Sequence, residues 1–404
     1  MTPADRALCE RYPELPGLVT LLDADELARM CASWGSGYEV ERLRLKPGAS
    51  VTAVLRPASG GERPWLLARA LAPHPWATKR GKDIAAAERA RERLVAVGVQ
   101  CRPATATVDD ERRVLVAAAV GDRRLRGLRE LLPDTGVAVP LGSVMRRGRA
   151  ERFGQMRRIG DRDRLGTVHT LSHNPARRFV GRWAPLDGQG AGWLVRLHSD
   201  RPREITEFVE GRRWTRADPA PRFTGSASLA ALAAERADAS REQGRPWGRA
   251  DLGSALSAAV EGVSALDIAG LDWAGRAAHL AGELASRLEH RAVEPAHGDY
   301  SPDQLVVTHD GQVRVIDWDR AAHWPLGWDA ATWRVTTALA AVLDGAIDPE
   351  PTSASGDDTG PSGDVVAAAA LLRLPEPLRR RYPDWVGLTE YLLVLAERSA
   401  GGAR

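Results

Sequence analysis

Apolar and polar positions alternate in two stretches of the first half of the chain. Residues 38–71 read YEVERLRLKPGASVTAVLRPASGGERPWLLARAL, and residues 167–198 read TVHTLSHNPARRFVGRWAPLDGQGAGWLVRLH. A period of two on both sides of a turn predicts paired strands. Each stretch predicts a strand, a turn around Pro47 or Pro175, and a second strand at 51–56 or 178–184. A Gly-rich turn follows, then a third strand that sets Arg69 or Arg196 between apolar neighbours. After the first stretch, 79–97 has the spacing of a charged amphipathic helix, and short strands are expected near 102–108 and 113–119 around Asp109-Asp110. After the second, 202–214 predicts a short helix opened by Pro202, with strand-like pieces at 221–226 and 229–235. Both halves therefore read strand, strand, strand, helix, strand, strand, an internal repeat joined by 133–165.

The second half changes period. Residues 249–267 and 272–291 are Ala/Leu-rich and amphipathic, which predicts two helices. Strands at 304–308 and 313–317 flank His309-Asp310-Gly311 and predict a hairpin. Further helices are expected at 328–345, 365–374 and 387–398, with 348–364 (DPEPTSASGDDTGPSGD) as a surface loop.

Composition narrows the picture. A chain of 404 residues is long for one core and predicts two or three packed units. Its formal net charge is +3, and no compact Lys/Arg run appears, so nucleic acid is not an expected partner. No run of about 18 apolar residues is present and the N-terminus has no apolar signal-peptide core, so a membrane is not expected and the cytoplasm is. Cys9, Cys31 and Cys101 are far apart and lack metal-ligand spacing, which reads as reduced thiols. The only lysines are Lys46, Lys79 and Lys82, so a site that ordinarily uses Lys has to use Arg.

The chemistry concentrates in one segment. Residues 297–304 read His297-Gly298-Asp299-Tyr300-Ser301-Pro302-Asp303-Gln304, and Asp317 follows thirteen residues later in Val315-Ile316-Asp317-Trp318-Asp319. Phosphoryl transfer needs a carboxylate near the attacking hydroxyl and groups that hold Mg²⁺ against the phosphates. A loop with Asp, four residues and an amide offers a carboxylate and a ligand. A hairpin returns a second Asp as a hard-oxygen donor.

This pattern resembles the aminoglycoside phosphotransferase and choline kinase group, whose hallmark is His-Gly-Asp, four residues, Asn, a hairpin and Ile-Asp-Trp or Ile-Asp-Phe. The resemblance implies an α/β protein-kinase-like two-lobe fold with an additional small-lobe-like domain in front. It implies ATP and Mg²⁺, with Asp299 as catalytic base, His297 bracing the loop, and Asp317 on the metal. Gln304 stands where the family has Asn. Its amide oxygen could still reach the metal, and a branch of mostly large actinobacterial proteins has a similar Ser-x-Asp-Gln ending and duplicated front half. Arg196 stands at the small-lobe lysine position, with Glu207 first and Glu204 second as its expected carboxylate partner. The turn 174–177, with Arg177, is expected over the phosphates. Asp319 is expected beside the metal site. The alternative gives these roles to Arg69 and Glu88 of the first copy.

Chain order favours the second copy, because 236–248 leads straight from it into the helical part. The expected domains are therefore 1–160 as an accessory unit, 161–240 as the small lobe and 241–404 as the large lobe. Asp329 is expected to cap a helix. Trp318, Trp324, Trp328 and Trp333 are expected either as core or as a wall beside the acceptor. The acceptor stays open: a small polyol, aminoglycoside or sugar, or a Ser/Thr of a precursor peptide in lanthipeptide-like biosynthesis with a partner lyase. A nucleotide-binding pseudokinase is the third reading. Asp238, Glu242, Asp251, Glu261, Asp267 and Asp272 could serve a cationic acceptor, but many Arg lie among them.

Overall fold

A computed structural model of the chain describes every residue except 59–62, 98–105, 126, 146–162, 191, 201–202, 214, 216–227, 243–245, 269, 346–360 and 402–404. The chain divides into two compact units, Met1–Phe208 with Arg379–Arg381, and Val209–Leu378 with Tyr382–Arg404.

The first unit opens with helices α1 (Pro3–Arg11), α2 (Leu18–Leu22) and α3 (Ala24–Cys31). Thr2 and Asp5 start α1 by reciprocal capping, each side chain taking the other's amide at 3.1 Å. Arg381 pairs with Asp5 at 2.9 Å, which ties this late segment into the unit.

The first repeat forms β1 (Tyr38–Lys46), β2 (Ser50–Pro57), β3 (Leu66–Leu71), the long helix α4 (Pro73–Ala96), β4 (Thr107–Asp109) and β5 (Val114–Ala118). The antiparallel sheet runs β1-β2-β3-β5-β4. In β3, Leu66, Leu67, Ala68, Ala70 and Leu71 are all buried, and Arg69 alone breaks the apolar run.

Short α5 (Leu128–Leu131), β6 (Val139–Pro140) and α6 (Leu141–Met145) lead to the second repeat. It forms β7 (Leu165–Asn174), β8 (Arg178–Pro185), β9 (Trp193–His198) and β10 (Glu204–Glu207), in the order β10-β9-β8-β7-β6. Three strands of each copy match the expectation. The helix expected at 202–214 does not form. Instead β10 pairs along β9, because β-branched Ile205 and Thr206 suit a pleated edge and Gly211 leaves too short a run for a helix. Among the described residues, the third strand is followed directly by a helix in the first copy and by a strand in the second. The two sheets share one core, in which Leu125, Leu128, Leu131 and Val139 meet Val168, Phe179, Trp183 and Val195. Buried Trp183 donates its indole N–H to the Val139 carbonyl at 2.9 Å. Cys9 and Cys31 are free thiols, each pushed up to about 11 by burial; Cys101 lies outside the described residues.

The second unit contains β11 (Arg212–Arg213), α7 (Leu229–Glu242), α8 (Leu252–Ser264), α9 (Trp273–Glu289) and β12 (Val293–Ala296). It continues with β13 (Leu305–Val307), β14 (Val313–Val315), β15 (Ala322–Pro325), α10 (Trp328–Leu343), α11 (Gly363–Arg373), α12 (Glu376–Arg379) and α13 (Trp385–Gly401). The strand expected at 229–235 is the start of α7, where the run Leu-Ala-Ala-Leu-Ala-Ala has high helix propensity. The piece at 221–226 lies outside the described residues, as does most of the expected loop at 348–364. Helix α11 is buried from Val365 through Leu371, so it forms the axis against which α9, α10 and α13 pack. Arg276 of α9 clamps Glu390 and Glu397 of α13 at 2.9 and 2.8 Å. Among the described residues no helix is long and apolar enough to cross a membrane.

Candidate active site

The second unit gathers the chemistry-bearing residues onto one loop and one hairpin. His297-Gly298-Asp299 follows β12, Gln304 ends a single helical turn before β13, and Asp317 follows β14. Leu305 pairs with Val315, and the Ile316 amide donates to the Gln304 carbonyl at 2.9 Å. Gln304 and Asp317 therefore sit at the same end of the hairpin.

The loop is held by its neighbours. The fully buried His297 places Nε2 at 2.8 Å from the Ile316 carbonyl, so Nε2 carries the proton and donates it. Nδ1 then accepts the Asp299 amide at 3.3 Å. One imidazole thus links the backbone of the His-Gly-Asp loop to that of the hairpin.

Asp329 lies one residue inside α10, whose N-cap position is Gly327. Its carboxylate accepts the amides of His297 at 2.7 Å and Gly298 at 2.9 Å. Burial pushes its carboxyl above the ordinary range, against the pull of these amides. It braces the loop rather than capping its own helix, because its side chain turns back toward the helix N-terminus, where β12 ends.

The tryptophans brace as well. Trp328 donates to the Gly298 carbonyl at 3.2 Å, Trp324 to the Arg320 carbonyl at 3.0 Å, and the two rings stack at 4.3 Å. Tyr300 stacks on Trp333 at 5.0 Å, and His297 meets the Trp318 edge at 4.7 Å. Gly298 has φ +83°, and a Cβ there would lie 2.3 Å from the Arg320 carbonyl oxygen, so no other residue fits.

Asp299 emerges from this frame with a carboxylate 23% exposed. Arg373, the last residue of α11, forms an ion pair with it, and Arg320 approaches at 3.9 Å. Neither contact was legible in the motif: Arg373 lies 74 residues away in sequence. Asp317 has φ +61°, a left-handed conformation that costs a non-glycine residue energy and recurs where a side chain must be aimed. Exposed Asp319 follows it on the same turn.

The donor set fits Mg²⁺. Gln304 and Asp317 offer an amide oxygen and a carboxylate, both hard oxygen donors. Among the described residues no group of three or more His, Cys, Asp or Glu side chains converges. A two-donor site of this kind leaves positions for water and substrate phosphate, as Mg²⁺ prefers.

The other expected residues lie in the first unit. Arg196 sits on β9 opposite Val180 and opposite Glu204 of β10. Glu207 pairs with Trp193 instead, so register puts the second-choice carboxylate, not the first, across from Arg196. Arg177 is exposed in the turn between β7 and β8. In the first copy, Arg69 pairs with Asp83 of α4 at 3.0 Å rather than with Glu88, which is exposed. Among the acids between 236 and 291, Asp251 caps α8 through the Ser254 amide at 2.9 Å, and Asp267 holds the first amides of α9 at 3.2 and 3.1 Å. Asp238 pairs with Arg241 at 3.0 Å. These three acids have local partners.

The family model of the "Phosphotransferase enzyme family" matches residues 172–355. No curated protein sequence matches the chain. Among solved structures, an ethanolamine kinase from Plasmodium vivax is 11% identical, with 77% of this chain and 94% of that chain covered and a TM-score of 0.38. The GDP complex of an aminoglycoside 2'-phosphotransferase-IIIa is 14% identical over 61% of this chain and 96% of that one, at 0.34. The choline kinase LicA from Streptococcus pneumoniae is 9% identical over 92% and 98%, at 0.29. At these TM-scores the structural likenesses carry no argument, and the family match stands on its own segment. The matched segment, residues 172–355, spans the turn with Arg177, Arg196, the His-Gly-Asp loop and the aspartate hairpin.

Proposed function

We propose that the chain transfers the γ-phosphate of ATP to a hydroxyl of a small polyol, sugar or aminoglycoside-like acceptor, in the cytoplasm. The observation that carries this reading is the link from His297 to Ile316. It joins the Asp299 loop to the hairpin end that holds Gln304 and Asp317. Asp299 orients the acceptor hydroxyl and takes its proton as the bond to phosphorus forms. Gln304 and Asp317 hold Mg²⁺, which neutralises charge on the phosphates. Asp319 supports that end of the hairpin. Arg196 contacts the phosphates, with Glu204 across the strand pair and Arg177 in the turn above.

In this reading 161–240 is the working small lobe, 241–404 the large lobe and 1–160 an accessory unit. The family match supports the second copy, since it begins at residue 172, after the first. The test is ATP consumption against a panel of hydroxyl compounds that includes Ser/Thr peptides. Turnover with a small hydroxyl compound supports the proposal. Turnover only with peptides replaces its acceptor, and nucleotide binding without turnover on any acceptor rejects the reaction.

A further inference from the structure

The first unit contains a cleft of about 910 Å³ that the proposed reaction leaves largely unexplained. One wall is the face of the first sheet, where register aligns Arg44 with Thr52 and Thr52 with Arg69, and Lys46 with Ser50 one step further. The opposite wall is the turn between β7 and β8, with Arg177, and the segment carrying Arg124. Lys46 and Lys79, two of the chain's three lysines, both line it.

The turn is anchored from below. Buried Asp122 accepts the Ala176 amide at 2.7 Å and meets His173 Nε2 at 3.2 Å. The second copy's turn is thereby fixed over the first copy's sheet.

The charges in the cleft do not balance. Its acidic lining residues are Asp83 and Asp200. Asp83 already serves Arg69 and Arg123, each at 3.0 Å. Among the described residues no carboxylate forms an ion pair with Arg44, Lys46, Lys79, Arg124 or Arg177. These cations act on one another. Burial, then Arg177, Arg379 and Arg124, lowers the Arg44 guanidinium below its ordinary value, and Arg44 is the main cause of the lowering at Lys46. Like charges at close range repel, and a folded protein keeps them together at a cost in stability unless an anion joins them.

We propose that this cleft is a second anion site, separate from the site of the reacting nucleotide, and that it takes a small molecule bearing two or more phosphate groups. Its size is that of a small-molecule pocket, about 300–1,000 Å³. Guanidinium forks match phosphate oxygens in pairs. Four cations without a carboxylate partner and without a place at the reacting nucleotide, Arg44, Lys46, Lys79 and Arg124, call for several negative charges in a small volume, and two phosphates bring about three to four. The word "separate" rests on assigning the nucleotide to the second copy, so the test has to tell failure of the site from failure of that assignment.

The measurement is calorimetric titration of the full chain with inorganic triphosphate and fructose 1,6-bisphosphate, with and without saturating Mg²⁺ and a non-hydrolysable ATP analogue. The comparison is with the double variant Arg44→Ser, Lys46→Ser and with Lys79→Ser, each checked for an unchanged melting profile without ligand. Triphosphate is expected to bind with the analogue present and to bind at least tenfold more weakly to the double variant, while the KM for ATP changes less than twofold. If the analogue itself binds twice per chain and the double variant loses one of the two, the site stands and a nucleotide is its ligand. If the analogue binds once and displaces triphosphate, the cleft is the reacting nucleotide's own site and both the proposal and the small-lobe assignment fall. Unchanged triphosphate binding in both variants also overturns the site. Citrate binding as tightly as triphosphate overturns the phosphate class, as does binding of a short RNA or an acidic peptide in place of either phosphate probe.

Discussion

Asp299 is useful only because its neighbours fix it. Asp299→Asn should retain ATP binding and lose about two or more decades of kcat, the usual effect of removing a positioned base, as read by initial rates at saturating ATP. Arg373 is the positioning residue for that carboxylate. Arg373→Gln should lower kcat by about tenfold through lost orientation while the KM for ATP stays within twofold; an equal rise in both KM values would assign Arg373 to binding instead. Asp329→Ala removes the acceptor of two buried amides and should cost about 2–4 kcal/mol, read as a fall in the denaturation midpoint together with a fall in kcat. The motif residues were legible because their spacing is local. The roles of Asp329 and Arg373 were not, because each acts on the loop from another element. Asp329 could have been suspected from its place directly after Trp328 in the Trp-rich segment, but nothing in the sequence marks Arg373.

At the scale of elements, the strands and the hairpin could be read from their period, and the errors have identifiable physical causes. At 202–214 Pro202 resembled a helix start, but Ile205 and Thr206 found a strand edge to extend. At 229–235 alternation was read into an Ala/Leu run that folds as a helix. Glu88 is the expected partner of Arg69 and Asp83 is the observed one; five residues turn a helix by about 140° beyond one full circle, so only one of the two can face the sheet. The turn that carries Arg177 depends on Asp122. Burial works against that carboxylate's charge, but His173, Arg69 and the Ala176 amide hold it down to about 2. A lowered Asp contributes stability that is present above its unfolded value near 3.8 and is lost as pH falls toward 2. The contribution is about 2 kcal/mol. Denaturant midpoints for wild type should therefore drop between pH 4 and pH 2 more steeply than those of Asp122→Asn. Parallel curves would show that Asp122 is not the group responsible.

On the scale of the whole molecule, a duplicated three-strand meander was visible in the sequence, but the outcome of the duplication was not. Both sheets lie in one compact unit, and Ala118 of β5 with Ala90 and Leu94 of α4 joins the core of the second sheet. Duplication leaves two candidate cations, and the account assigns them different work. Arg196→Ala should weaken ATP binding or turnover by about 2 kcal/mol, as for a charge-assisted contact, whereas Arg69→Ala should leave ATP kinetics nearly unchanged. The reverse pattern, read from KM and kcat for ATP, would move the working small lobe to the first copy. The central claim, however, is the reaction itself. Its most direct measurement follows phosphorus-31 resonances in a mixture of the full chain, ATP, Mg²⁺ and a pool of hydroxyl acceptors, run beside the Asp317→Ala variant. The account predicts ADP and a new phosphate-ester resonance in equal amounts from the wild-type chain and neither from the variant. Ester formation that persists in Asp317→Ala, or ATP bound by the wild-type chain with no ester from any acceptor, would contradict it.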